Sequence, residues 1–342
     1  MKTQIYDVAC MNETALAEIE VAGRILEEGG LVAFPTETVY GLGANAMNPA
    51  AAADIYLAKG RPSDNPLIVH IAEVSQLKTV ARDGLEIAET LAEKFWPGPL
   101  TMVLPKQPKV PGVTTGGLDT VAVRMPDDPV ALELIRRARV PVAAPSANLS
   151  GRPSPTTGAH VVEDLNGRVD IILVGSDCRI GIESTILDLT GEKAMILRPG
   201  FLTPEALAEV LGYLPELDPA ICRRPDEEPD AEALVPKAPG MKYRHYAPKA
   251  PMELFSGTQE AIRLAIEQRK AEEESLGRSV GVILFEEHDF DRAAHDFFAR
   301  LREMDELNVD LILAGAVDQK DSRGMALMNR MLKSAGYQIT NV

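Results

Sequence analysis

Lys59-Gly60-Arg61-Pro62 places two cations either side of a glycine, and Pro145-Ser146-Ala147-Asn148 offers two small hydrogen-bonding side chains. Lysine is a point cation and arginine a planar fork, so Lys59 and Arg61 together suit a phosphate chain. Taken alone they equally suit a solvated basic turn. Asn65 and His70 follow closely, His70 within an apolar run where a satisfied core histidine is the plain alternative. Thr36 and Thr38 present hydroxyls just after the apolar Leu31–Phe34, in a stretch read as a glycine-punctuated turn. Arg124 sits in a β-branched run, Val121–Met125, where a buried guanidinium is costly without a partner. A carboxylate clamp is the chemistry that offsets this cost. The loop Thr114–Thr120 can turn backbone N–H groups toward an anion, and Arg198 at a strand end can meet phosphate. Ser154 lies on a loop broken by Gly151, Pro153 and Pro155, and Glu183-Ser184-Thr185 opens a hairpin. Neither G-x-x-x-x-G-K-[ST] nor a strand-linked G-x-G-x-x-G occurs, so a nucleotide would have to be held by other means.

The elements around these residues alternate. Glu13–Glu28 has helical apolar spacing and stops at Gly29-Gly30. Strands are expected at Leu31–Phe34, Leu67–Ile71, Leu100–Leu104, Val121–Met125, Val140–Ala144 and Ile171–Val174, with a helix through Ala50–Ala58. Ser184–Leu189 and Ala194–Leu197 read as a hairpin, and Thr203-Pro204 as the start of a helix reaching Leu211. The irregular order predicts an α/β fold with a mixed sheet.

Between Pro215 and Pro239 six prolines and Asp226-Glu227-Glu228 describe a segment without material for a core, read as an extended linker. Its end, Pro239 to Pro248, is aromatic and basic, with Tyr243 and Tyr246, which is unusual for a spacer. An alternating βαβαβα pattern over Met252–Gly336 then predicts a small parallel α/β/α layer, and Glu272-Glu273-Glu274 reads as a solvated helix end. The domains expected are 1–215, a linker 216–250, and 251–342.

With 342 residues, 45% hydrophobic and 25% charged, the chain has ample core material for two domains. A net charge of −16 argues against a broad nucleic-acid surface but permits a small basic pocket. Cys10, Cys178 and Cys222 are too scattered for a disulfide framework and read as free thiols. The histidine and cysteine spacings suit no metal. No apolar run reaches membrane-span length, and Met1–Gln4 opens no signal segment, so a cytoplasmic protein is expected.

Six motifs occur in one order: PTETVYGLG from Pro35, KGRP from Lys59 with Asn65-Pro66-Leu67, SAN-SG-PSPT from Ser146, EST from Glu183, RPG from Arg198 and PGMKYRHYAP from Pro239. In this the chain resembles the threonylcarbamoyl-AMP synthase family, the YrdC-like enzymes, in its longer two-domain form. Ala238, where serine is usual, and Ile186-Leu187, where valines are usual, depart from the pattern. The resemblance implies a twisted mixed-sheet YrdC-like catalytic domain with a concave open face, joined to a small Rossmann-like α/β/α domain. It implies that L-threonine, bicarbonate and ATP, with Mg²⁺, become threonylcarbamoyl-AMP and pyrophosphate. The product passes to the machinery that makes threonylcarbamoyladenosine in tRNA, with no stable nucleic-acid complex. By the same resemblance Thr36, His70, Arg124 and Ser184 hold threonine. Lys59, Arg61, Asn65, Thr120, Ser146, Asn148, Ser154 and Arg198 surround ATP, and Tyr243 closes over it. Lys59, Arg61, Ser146 and Asn148 are the expected catalytic set.

No side chain reads as a strong nucleophile, which fits a substrate-assisted reaction. Two other readings stay open: a module binding double-stranded RNA or a ribosome, and a related carbamoyl-adenylate enzyme acting on another amine, as in hydrogenase-maturation carbamoyltransferases.

Overall fold

Short apolar strands buried on both faces build the larger of two sheets. The computed structural model describes residues 2–63, 65–219, 221, 246–319 and 321–342. Eleven strands run in the spatial order Gln4–Asp7, Ile171–Val174, Val32–Phe34, Gly41–Asn45, Val142–Ala144, Ile68–His70, Thr120–Arg124, Leu100–Pro105, Thr185–Asp188, Met195–Arg198 and Glu216–Leu217. Parallel and antiparallel neighbours alternate irregularly, so the sheet is mixed as expected. The predicted hairpin is antiparallel with a bulge between Ile196 and Arg198. Glu216–Leu217 adds a parallel strand to the main sheet, so the segment read as linker begins inside it.

Helix Glu13–Glu28 starts at Asn12, whose side chain accepts from Ala15 N, and ends on left-handed Gly29. Thr203 likewise caps Pro204–Leu211. Helices Leu85–Phe95, Pro129–Ala138 and Gly158–Leu165 complete the covering layers and were not foreseen.

The reading of the stretch after Tyr40 as a turn is corrected. The glycine-punctuated stretch after Tyr40 is a strand, Gly41–Asn45, antiparallel to Val32–Phe34. A Cβ at Gly43 would stand 2.8 Å from Val142 Cγ1 and 2.9 Å from the Phe34 ring. The glycine serves strand packing rather than a turn: it lets the Phe34 ring cross the strand and meet the His70 ring edge-on at 6.1 Å.

The smaller sheet is fully parallel, ordered Val280–Ile283, Leu311–Gly315, Met252–Ser256, Ile339–Asn341. Helix Gln259–Ser275 packs on one face, where Ile262 and Ile266 join Phe255, Leu311 and Leu313. Helices Phe290–Leu307 and Ser322–Ser334 cover the other, and their apolar cluster continues into Val39, Ile180 and Ile182 of the larger unit. Within Glu272–Glu274, Glu273 is not solvated. It is buried between Arg269 (2.5 Å) and Arg278 (2.7 Å). Cys10 and Cys178 are free thiols, and Cys222 lies outside the described residues.

Candidate active site

On the strand Ile68–His70, Ile68 pairs with Ala144 on one side and His70 with Arg124 on the other. A cleft runs the length of this strand, from the Ser146 loop past Ile68 and His70 to Arg124. Two residue rises separate its ends, about 7 Å along the strand.

At one end the turn after Phe34 folds on its own hydroxyls. Thr36 Oγ1 donates to Val39 O (2.6 Å) and lies 2.9 Å from Thr38 Oγ1. Arg124 Nη2 donates to Thr38 Oγ1 at 2.9 Å and stands 2.7 Å from Glu37 Oε2, with both members of the ion pair buried. The Arg124 Nε donor has no hydrogen-bond partner among the described residues. His70 is buried beside it, Nδ1 3.1 Å from Ile68 O. Burial, reinforced by the Arg124 charge, pushes its pKa down to about 3, so the imidazole is neutral at physiological pH.

At the other end the Ser146–Ser154 loop is tied from within. Ser146 Oγ donates to Asn148 Oδ1 (2.5 Å), and Asn148 Nδ2 donates to Leu149 O and Arg152 O at 2.8 and 3.0 Å. Lys59 ends its helix under this loop. Its Nζ donates to Ser146 O (2.5 Å), to Asn148 O and to Asn148 Oδ1 (3.3 Å). Burial, then the Arg61 charge, lowers the Lys59 pKa, while three oxygen acceptors around one nitrogen are the geometry of an ammonium.

The third wall comes from the hairpin. Arg198 Nε and Nη2 donate to Ser184 O at 3.1 and 3.0 Å, and Nη2 also to Ser184 Oγ at 3.1 Å. Thr101 Oγ1 lies 2.8 Å from the same hydroxyl. Burial pushes the Arg198 pKa down to about 10, so it stays charged. Ser154 Oγ donates to Glu183 Oε1 at 2.6 Å. Gly200 packs directly on the backbone of this wall, where a Cβ would stand 2.4 Å from Thr185 N and 2.7 Å from Glu183 O.

Of the expected residues, Thr36, Arg61, His70, Arg124, Ser146, Asn148 and Arg198 line the one cleft. Ser154 and Ser184 stand one bond behind it, on Glu183 and Arg198. Lys59 departs from the expected phosphate contact, because its ammonium is spent on loop carbonyls. Asn65 is buried, its side chain without a hydrogen-bond partner among the described residues, and its carbonyl accepts from Tyr56 Oη at 3.0 Å. Thr120 does not line the cleft: it opens the Arg124 strand, four residues away, about 13 Å. Tyr243 lies outside the described residues.

Several lining residues had been given no role, among them Arg152, Glu183, Val39 and Tyr246. Tyr246 packs on Phe298, ring centroids 5.1 Å apart. Glu37 was likewise missed, although a lone acid beside two threonines and within reach of a strand arginine is a readable partner. In all, Arg61, Arg124, Arg152 and Arg198 face a single lining carboxylate, Glu183. Arg124 is paired with Glu37 and Arg152 with Glu163 and Asp164 behind the lining, so in a chain of net charge −16 it is chiefly Arg61 and Arg198 that suit the cleft to a small anion.

Residues 24–200 match a family model described as Telomere recombination, the Sua5, YciO and YrdC group, and residues 202–336 match one described as Threonylcarbamoyl-AMP synthase, C-terminal domain. The threonylcarbamoyl-AMP synthase of Pyrococcus abyssi is 48% identical, the match covering 95% of this chain and 96% of that one. That of Bacillus subtilis is 43% identical, over 99% of both. The crystal structure of P. abyssi Sua5 complexed with L-threonine superposes with a TM-score of 0.92 at 46% identity, covering 99% of this chain and 100% of that one. The chain belongs to the threonylcarbamoyl-AMP synthase family.

Proposed function

We propose that this chain is an L-threonylcarbamoyladenylate synthase, converting L-threonine, bicarbonate and ATP to threonylcarbamoyl-AMP and pyrophosphate. The observation that carries the site assignment is Arg124: a buried guanidinium with an open Nε, set among hydroxyls in a cleft with three further arginines. Arg124 grips the threonine carboxylate, with Thr36, His70 and Ser184 around the rest of the amino acid. Arg61, Asn65, Ser146, Asn148, Ser154 and Arg198 serve ATP, while Thr120, outside the cleft, is given no part in binding it. Lys59 serves it indirectly, by holding the carbonyls of Ser146 and Asn148.

The threonine amine adds to the carbon of carbon dioxide or bicarbonate to give a carbamate, a proton leaving to solvent in the first case and water in the second. The carbamate oxygen attacks the α-phosphorus and the bond to the β-phosphate oxygen breaks, releasing pyrophosphate. A histidine with a pKa of about 3 is a poor base, so His70 positions. Orienting reactants is worth ~7–11 kcal/mol, against roughly 3–5 kcal/mol for a general base. Mg²⁺ comes with the nucleotide, since it keeps most of its waters and binds largely through phosphates. An arginine-lined wall suits that cargo and supplies further charge neutralisation.

The product is a mixed anhydride suited to acyl transfer, and we assign its consumption to the tRNA threonylcarbamoyl-transfer machinery. Among the described residues no helix is long and apolar enough to cross a membrane.

Pyrophosphate release should require threonine and bicarbonate together with ATP. Release that persists when threonine is withheld, or that another amine supports better, would remove this assignment.

A further inference from the structure

The two largest fully buried side chains are both arginines of the smaller unit, Arg302 and Arg330. Each reaches out of its own unit. From helix Phe290–Leu307, Arg302 Nη2 donates to Pro153 O at 2.7 Å and to Asp164 Oδ2 at 2.8 Å. Asp164 also accepts from Leu149 N (3.2 Å) and from Arg152, which lines the cleft. From helix Ser322–Ser334, Arg330 Nε donates to Glu183 Oε2 at 3.1 Å and Nη1 to Pro199 O. The other oxygen of Glu183 takes Ser154. One arginine therefore grips the Asn148–Ser154 loop and the other the Glu183 and Pro199 turns, two segments that both contribute to the cleft lining and meet at the Ser154–Glu183 bond.

We propose that Arg302 and Arg330 are positioning residues for the reaction: the smaller unit sets the spacing of the two loops that receive the nucleotide. The reaction concerned is the one assigned above, on which this inference rests. Apolar side chains of similar volume would join two units at least as well, because a buried ion pair sacrifices much solvation. What guanidiniums add is direction. Each fixes a carboxylate and a backbone carbonyl at once.

The test compares full-length Arg302→Met and Arg330→Met with Ile266→Ala, a core change on the far face of the smaller sheet. Kinetics of threonine-dependent pyrophosphate release are measured well below the lowest Tm, alongside amide hydrogen exchange. Both arginine variants should lose kcat/KM about 10²-fold, the cost of a misplacement of about 1 Å, with the loss mainly in kcat. Exchange should quicken at residues 149–152 in Arg302→Met and at 183–185 and 200 in Arg330→Met. Ile266→Ala should lower Tm with kinetics and those amides unchanged. Wild-type kcat and unchanged loop exchange in folded arginine variants would overturn the proposal, as would activity losses in all three variants that simply follow Tm. If the methionine variants do not fold, Arg330→Lys, which reaches Glu183 or Pro199 but not both, is read by the same two measurements. Threonine-independent release by the wild type would instead refute the assigned reaction, and the exchange readout would still decide the positioning.

Discussion

His70 and Arg124 stand side by side in register on adjacent parallel strands, both lining the cleft. The guanidinium and the dry surroundings together exclude a proton from the imidazole. The unfolded chain restores a pKa near 6.5. Between pH 6.5 and about 3 the unfolded state therefore binds a proton that the native state refuses, and stability falls as pH falls. His160, lowered to about 4, adds to this slope, and Asp128, raised to about 6, opposes it. The difference between wild type and His70→Asn isolates one group. It should shift by about 1.4 kcal/mol per pH unit below 6.5 in favour of the variant. Chemical denaturation at several pH values measures it, and a pH-independent difference would show that His70 is protonated in the native state.

Arg124→Lys keeps the charge and loses the fork. The KM for threonine should rise about 10- to 10²-fold, the equivalent of about 1.5–3 kcal/mol for a hydrogen bond to a charged group, with little change for ATP. Arg124→Ala should in addition cost about 3–5 kcal/mol of stability, because Glu37 is left buried and unpaired. Steady-state kinetics and denaturation curves read the two effects separately. An unchanged threonine KM in Arg124→Lys would place the carboxylate elsewhere.

Lys59 and Arg61 neighbour each other in sequence and differ in duty. Lys59→Met removes the donor that holds two loop carbonyls, and each buried acceptor left alone costs about 1–3 kcal/mol. Tm and turnover should fall together. A variant with native Tm and no activity would return Lys59 to the phosphate contact read from the sequence.

Arg61→Ala should separate the two effects. Its side chain is half-buried at the cleft margin, so Tm should hardly move while the KM for ATP rises about tenfold or more. Binding of ATP by calorimetry checks this, and an unaltered ATP affinity would take Arg61 out of the nucleotide site.

Much of this site was legible because its residues break local rules. Arg124 in a β-branched strand and His70 in an apolar one announce themselves, and both line the cleft. The contacts of Lys59 were not legible because the same turn chemistry serves a phosphate or two carbonyls, and its bonds to Ser146 O and Asn148 O depend on how the Ser146 loop packs above it. Gly41–Asn45 was missed as a strand because glycine there answers to the Phe34 ring, a contact between chain segments that spacing does not reveal. Arg302 and Arg330 did leave a trace. Arg302 follows Phe298 by four residues and Arg330 follows Leu327 by three, so each holds an apolar-face position on its helix. A charge in such a slot points to a partner outside the helix. Which partner depends on how the two units dock.

An acidic exterior wrapped around an arginine-rich hollow sorts its visitors by range. Within the roughly 8–10 Å that charge reaches before salt screens it at ordinary ionic strength, a net charge of −16 repels polyanions, and inside the cleft the lining arginines attract a small anion. A long polyanion such as RNA is too large for the hollow and meets a surface of net negative charge, so the distribution that suits a small anion should disfavour long nucleic acid.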